Sequence, residues 1–112
     1  MTKWEIEYYT TDQGKAPVKD FIDDMPLKAK ARTFKTFELI EDYGIQIGPP
    51  HIRYLEANLW EVRVRAVEGM FRFIFTVRGK RIIILLHGFQ KTTRKTPRID
   101  LEVARDRLKE LT

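Results

Sequence analysis

Apolar and polar residues alternate along residues 59–65 and again along 71–77, the period of two that marks half-buried strands. In the first stretch Trp60, Val62 and Val64 fall on one face and Glu61, Arg63 and Arg65 on the other. In the second, Phe71, Phe73, Phe75 and Val77 oppose Arg72, Ile74 and Thr76. A third run, 81–89, is apolar at nearly every position, which suits a central strand covered at least in part on both faces. Glu68-Gly69 and Gly79-Lys80 supply the turns between the three. Near the start, residues 3–9 alternate as a further strand, with Trp4, Ile6 and Tyr8 together, and Asp12-Gln13-Gly14 breaks it.

Elsewhere the period becomes that of a helix. Val18, Phe21, Ile22 and Met25 predict a short amphipathic helix over 16–25 that opens at Pro17. Leu27, Ala31, Phe34, Phe37 and Ile40 predict a second over 27–43, with Gly44 as its C-cap. Residues 44–58, with Gly48-Pro49-Pro50, read as a loop that cannot belong to a central strand. Thr96 predicts the cap of a last helix starting at Pro97, Asp100 suits its first turn, and Leu101, Ala104, Leu108 and Leu111 form its apolar stripe. The order is β-α-α-β-β-β-α, an α+β arrangement. A mostly antiparallel sheet carries helices packed on one face and leaves Arg63, Arg65 and Arg72 on an open one.

Composition narrows this further. A chain of 112 residues, 43% hydrophobic and 12% aromatic, is expected to form one globular domain over 1–112. It has no cysteine, which excludes a disulfide framework and a thiolate zinc site. No stretch has the apolar length of a signal peptide or a membrane span, so the expected location is the cytoplasm. The charge is lopsided. Residues 63–98 hold ten basic residues and one acidic residue, Glu68, whereas the whole chain is only +5. Such a concentration suits a polyanion held by its phosphates.

The chemistry that fits is cleavage of RNA by its own 2′-hydroxyl. That reaction needs a proton acceptor, a donor for the leaving 5′-oxygen and positive charge for the transition state. Arg63 and Arg72, on adjacent strands and one predicted face, are the candidate phosphate clamp, because a guanidinium bridges two phosphate oxygens and stays charged. The clamp requires both to be open to solvent. His87, at the end of the third strand, is the candidate acid–base group. Lys91, Thr92, Arg94, Lys95 and Thr96 could grip phosphates, with Arg65, and Lys91 could also act as an acid. Each has a plainer reading: solvated charges on a sheet face and loop, and a buried histidine satisfied by backbone. His51 is assigned to a loop without function, and Tyr54 could stack on a base. Trp60 and the phenylalanines belong to the core, on the face opposite the arginines. No carboxylate or imidazole cluster suggests a metal, and no cofactor is expected.

LWEVRVR followed by FRFIFTV, then IILLHGFQKTTRKTP and a closing helix with VARDRL, resembles the RelE/HigB superfamily of toxins, in its phage-derived Gp49-like or HigB-like branch. The match covers nearly the whole chain, and its most specific part is HGFxK combined with KTP before the last helix. The resemblance implies a small RelE-like fold and the toxin of a type II toxin–antitoxin pair. Such a toxin enters the ribosomal A site and cleaves messenger RNA, and a helix-turn-helix, HigA-like antitoxin neutralises it. Its implied partners are therefore that antitoxin, with a heterotetramer as one assembly the pair could form, together with the ribosome and mRNA, and no membrane. The family's basic strand positions fall on Arg63, Arg65 and Arg72, and its basic cluster after the last strand falls on Lys91, Arg94 and Lys95. Two positions depart: no tyrosine follows Tyr54, and Glu61 stands where the best-known member has lysine. The alternative from a different class is a non-catalytic basic module that binds RNA or an acidic protein.

Overall fold

A computed structural model describes residues 3–91 and 93–111. Five strands, β1 (Glu5–Tyr8), β2 (Ile52–Glu56), β3 (Leu59–Ala66), β4 (Gly69–Arg78) and β5 (Ile82–Gln90), form one sheet in the order β1-β5-β4-β3-β2. Only the β1–β5 pairing is parallel. The helices are α1 (Pro17–Asp23), α2 (Leu27–Tyr43) and α3 (Arg98–Glu110), with a 3-10 turn at Gly44–Ile47. The α+β class and the mostly antiparallel sheet are those the periodicity predicts. The sheet has one more strand than the pattern gave: β2 lies inside the segment read as a loop. Its place at the sheet edge obeys the proline argument, since Pro49 and Pro50 stop just short of it and only one side of the strand needs ladder partners.

The strand faces divide as the alternation requires. Val62, Val64, Phe71, Phe73, Phe75, Ile83 and Leu85 meet α1 and α2 in one core, with Trp4, Ile6, Tyr8 and Trp60 at its margin. Phe37 and Phe21 each lie edge-on to Phe73, with centroids 5.5 and 5.9 Å away. Gly88 leaves room for this contact, because a Cβ there would stand 2.8 Å from Phe21. The buried side of α2 keeps only part of the predicted stripe, Phe37 and Ile40. Ala29, Thr33, Phe37 and Ile40 are buried, whereas Leu27 is 81% exposed and Phe34 44%. Small residues at 29 and 33 let the helix approach closely, and Thr33 tolerates burial because its hydroxyl donates to Ala29 O at 2.9 Å. Gly44 ends α2 at φ +62, where a Cβ would run into the Trp4 ring 2.0 Å away.

The other face of the sheet is covered as well, by α3. Its Ala104, Leu101, Leu108 and Leu111 pack on Ile74, Ile84, Leu86 and Phe89. Arg105 binds Glu56 through two hydrogen bonds of 2.8 and 2.7 Å, Arg107 donates to Leu86 O at 2.7 Å, and Tyr9 OH donates to Glu110. These ties fix α3 across β4 and β5, so the chain that leads into it, residues 93–97, has to pass over the end of the sheet that carries the arginines. No helix among the described residues is long and apolar enough to cross a membrane.

Candidate functional site

Strand pairing brings Arg63 and Arg72 directly opposite one another, puts Phe89 beside Arg72, and sets Glu61, Ile74 and His87 in the next row. The shared face of the two arginines is therefore as the alternation predicts. Its openness is not. Arg72 is only 2% exposed. Its Nη1 donates to Lys95 O at 3.2 Å, its Nη2 donates to Thr93 O, and its guanidinium lies 6.0 Å from the Phe89 ring centroid. Arg63 keeps 24% of its side chain exposed, and donates from Nη2 to Arg94 O at 3.0 Å and from Nε to Glu61 Oε1 at 3.2 Å. Arg53 of β2 donates to the same Arg94 carbonyl at 3.0 Å and stands 3.5 Å from Glu61. The phosphate clamp expected on an open face is thus corrected: these guanidinium groups hold the backbone of residues 93–95.

The physical reason is that α3 draws the preceding loop across the sheet. A buried guanidinium is tolerable only when its donors meet acceptors, and three loop carbonyls and one carboxylate supply them. That carboxylate, Glu61, is fully buried and also accepts from Thr96 Oγ1 at 2.8 Å. Thr96 is accordingly not a helix cap. The residue before α3 is Pro97, with no side-chain cap. Burial pulls the Arg72 pKa below its ordinary value, with Glu61 acting in the opposite sense.

The same clamp turns cationic side chains outward. Lys91, Arg94 and Lys95 are exposed, as is Arg65 on β3. Thr92 lies outside the described residues. A cleft over the start of α3 is lined by Lys91, Lys95, Arg98 and Arg105, of which Arg98 and Arg105 are paired with Glu102 and Glu56.

His87 connects to this arrangement through an aromatic ring. It stacks on Phe89 with centroids 5.5 Å apart and planes 16° apart, while Arg72 lies over the same ring. Its Nε2 is 2.7 Å from Asp100 Oδ1, in the first turn of α3. Burial lowers the His87 pKa from 6.5, against the opposite pull of its hydrogen bond to Asp100. Burial therefore favours the neutral ring. Facing a carboxylate, Nε2 carries the proton and Nδ1 keeps the lone pair. That atom can accept a proton. The side chain is 17% exposed, neither free at an edge nor sealed in the core.

Three of the four buried polar atoms without a hydrogen bond among the described residues belong to this cluster: Arg53 Nε, Arg72 Nε and Asp100 Oδ2. Among the described residues no group of three or more His, Asp or Glu is placed to hold a metal ion. Tyr54 is 54% exposed, with its ring edge-on to Trp60 at 4.9 Å. Sequence reasoning missed Arg53, the central place of Glu61, and Asp100 as the partner of His87. The alternation of 52–56, continued into β3, was the available signal for the first two; Asp100 carried none, because its role depends on where α3 docks.

The family model described as Phage derived protein Gp49-like (DUF891) matches residues 20–109. That span includes every residue of the cluster just described. No curated protein matches the chain.

Proposed function

The chain belongs to the phage-derived Gp49-like family, the RelE/HigB-like toxin branch, and we propose that it is the toxin of a type II toxin–antitoxin pair, cutting messenger RNA on the ribosome. The observation that carries this reading is the held loop: four arginine-to-carbonyl hydrogen bonds fix residues 93–95 with Lys91, Arg94 and Lys95 directed to solvent. A loop ordered before it meets a phosphate loses less freedom on binding than a floppy one. Beside it His87 offers a neutral imidazole nitrogen to take the 2′-hydroxyl proton, and Lys91 or Lys95 can donate to the leaving 5′-oxygen. Arg63, still partly exposed, contributes charge to the transition state, and Arg72 is a positioning residue for the loop. Two elements of a self-sufficient ribonuclease, a second acid–base imidazole and a free guanidinium pair, are lacking among the described residues of this cluster. The ribosome supplies the alignment of substrate that the protein alone does not. A helix-turn-helix antitoxin is the expected neutralising partner, and its gene should abut or overlap this one.

The test is a translation reaction programmed with a defined mRNA. Purified protein should cut within codons at the A site, and His87→Gln should slow cutting by about 100-fold, the low end for a lost acid–base group, while the melting curve stays close to the parent's. One observation favours a second reading. Because Arg72 is buried and Arg63 is bonded to Glu61, the face could serve binding alone. A parent protein that binds RNA but cuts none, with or without ribosomes, and whose expression leaves growth unaffected, would establish the non-catalytic module instead.

A further inference from the structure

We propose that a second cleft, between α2 and the exposed end of β3, is a binding groove for an RNA phosphodiester backbone. The cleft encloses about 390 Å³ and is lined by Arg32 and Lys35 of α2, His51 of the loop before β2, and Arg63 and Arg65 of β3, over a floor that includes Val64. No aspartate or glutamate lines it. Arg32, Lys35, His51 and Arg65 are exposed, and none of the three stronger bases has a carboxylate partner among the described residues. Arg32 is instead aimed across the cleft by a 3.3 Å hydrogen bond from Nη1 to Arg65 O.

Three features separate this cleft from ordinary solvated charge. Cations converge on it from two separate elements, α2 and β3. Nothing acidic in its wall would repel a phosphate. It is also continuous with the loop site, because Arg63 lines the cleft and donates to Arg94 O. A strand seated on Lys91, Arg94 and Lys95 therefore has a cationic path over Arg63 toward α2. Arg32 and Lys35, at i and i+3, are neighbours on one helix face and can share one phosphate or take successive ones. The proposal rests on the reading that this protein acts on RNA, but it concerns affinity and not the chemistry of cleavage.

The experiment compares the parent, the Arg32→Gln/Lys35→Gln double variant and His87→Gln. Binding is followed over a range of salt concentrations to a labelled single-stranded RNA of mixed sequence and, separately, to vacant ribosomes. Each lost phosphate contact should lower the slope of log K against log salt by about 0.7–0.9, so the double variant should lose about 1.5. Its affinity should fall at least about tenfold at low salt, its melting temperature should match the parent's, and His87→Gln should bind as the parent does. In the cleavage assay the double variant should raise KM and leave kcat unchanged. Loss on the oligonucleotide identifies the ligand as messenger RNA, and loss on ribosomes alone identifies it as ribosomal RNA. Unchanged slope and affinity in both arms overturn the proposal, and so does a defect confined to binding the antitoxin, which would make the cleft a protein interface. Absence of cleavage by the parent overturns the nuclease reading and leaves the binding measurement standing.

Discussion

Replacing Glu61 by glutamine tests whether the arginine cluster is held together by its buried carboxylate. The amide has the same shape and can still accept from Thr96, but it removes the charge 3.2 Å from Arg63 Nε and 3.5 Å from Arg53 Nε. The gross attraction at such distances, about 5 kcal/mol per pair at an effective dielectric constant near 20, is not the net loss. Arg63 and Arg53 keep 24% and 39% of their side chains exposed, so water recovers most of it and about 1 kcal/mol per pair remains. The new NH2 group faces guanidinium donors in a fully buried position, which adds about 1 kcal/mol for an unsatisfied donor. The expected loss is about 3 kcal/mol, which for a chain of this size corresponds to roughly 13 °C in Tm. Urea and thermal melts at pH 7, read by the fluorescence of Trp4 and Trp60, measure it. A double-mutant cycle with Arg63→Gln should show a coupling of about 1 kcal/mol. A Glu61→Gln protein within about 0.5 kcal/mol of the parent, the range of ordinary surface substitutions, would refute the idea that this carboxylate organises the site.

Three further outcomes follow from the same geometry. The folded pKa of His87 lies below its unfolded value near 6.5, so the unfolded chain takes up a proton first as pH falls. The stability from burying the neutral ring is then complete above about pH 6.5 and declines through the window below it; His87→Gln should flatten that part of the parent's stability–pH curve, and an unchanged slope would mean the ring is not held neutral. Cleavage should lose activity over the same window, as the acceptor nitrogen is protonated. Arg72→Lys keeps the charge but cannot span the carbonyls of residues 93 and 95. It should cost about 2 kcal/mol, speed amide exchange at residues 93–96 and depress cleavage more than binding in the α2 cleft. Gly44→Ala places a methyl group against the Trp4 ring at a positive φ; a loss of at least about 2 kcal/mol is expected by denaturant melt.

Periodicity was a good guide wherever one residue's neighbours along the chain decide its environment. The bounds of α2, the opposed faces of β3 and β4, and the double burial of β5 all follow from local spacing. It was a poor guide to what covers a face. Alternation sets Arg72 opposite the phenylalanines, but its cover arrives from residues 93–95, more than twenty positions later. The charge count misled for a related reason. A window beginning at Arg63 leaves out Glu61, two residues earlier, which is the carboxylate the arginines share. Thr96 has the composition of a cap, yet Glu61 competes successfully for its hydroxyl across 35 residues of sequence. The α2 cleft was more accessible: Lys28, Arg32 and Lys35 recur at i, i+4 and i+7, the mark of a cationic helix face.

The burial of Arg72 looks at first like an argument against phosphate binding, yet the charge balance points the other way. Around the loop stand six cations, Arg53, Arg63, Arg72, Lys91, Arg94 and Lys95, against two carboxylates, Glu61 and Asp100, and the nearest imidazole is neutral. Guanidinium groups bonded to neutral carbonyls are not neutralised by them; they anchor the loop and keep their field. One surplus charge about 8 Å from a phosphate, at an effective dielectric constant near 20, contributes about 2 kcal/mol of attraction. A buried cation also undergoes less solvent rearrangement when the anion arrives than a surface lysine does. The cluster can therefore shape the loop and attract the backbone at once. On this view Arg72→Met and Arg72→Lys should separate the two effects: both release the loop, but only the methionine variant should also lower the salt dependence of RNA binding. Equal salt slopes for the two would show that Arg72 acts through the loop's shape alone.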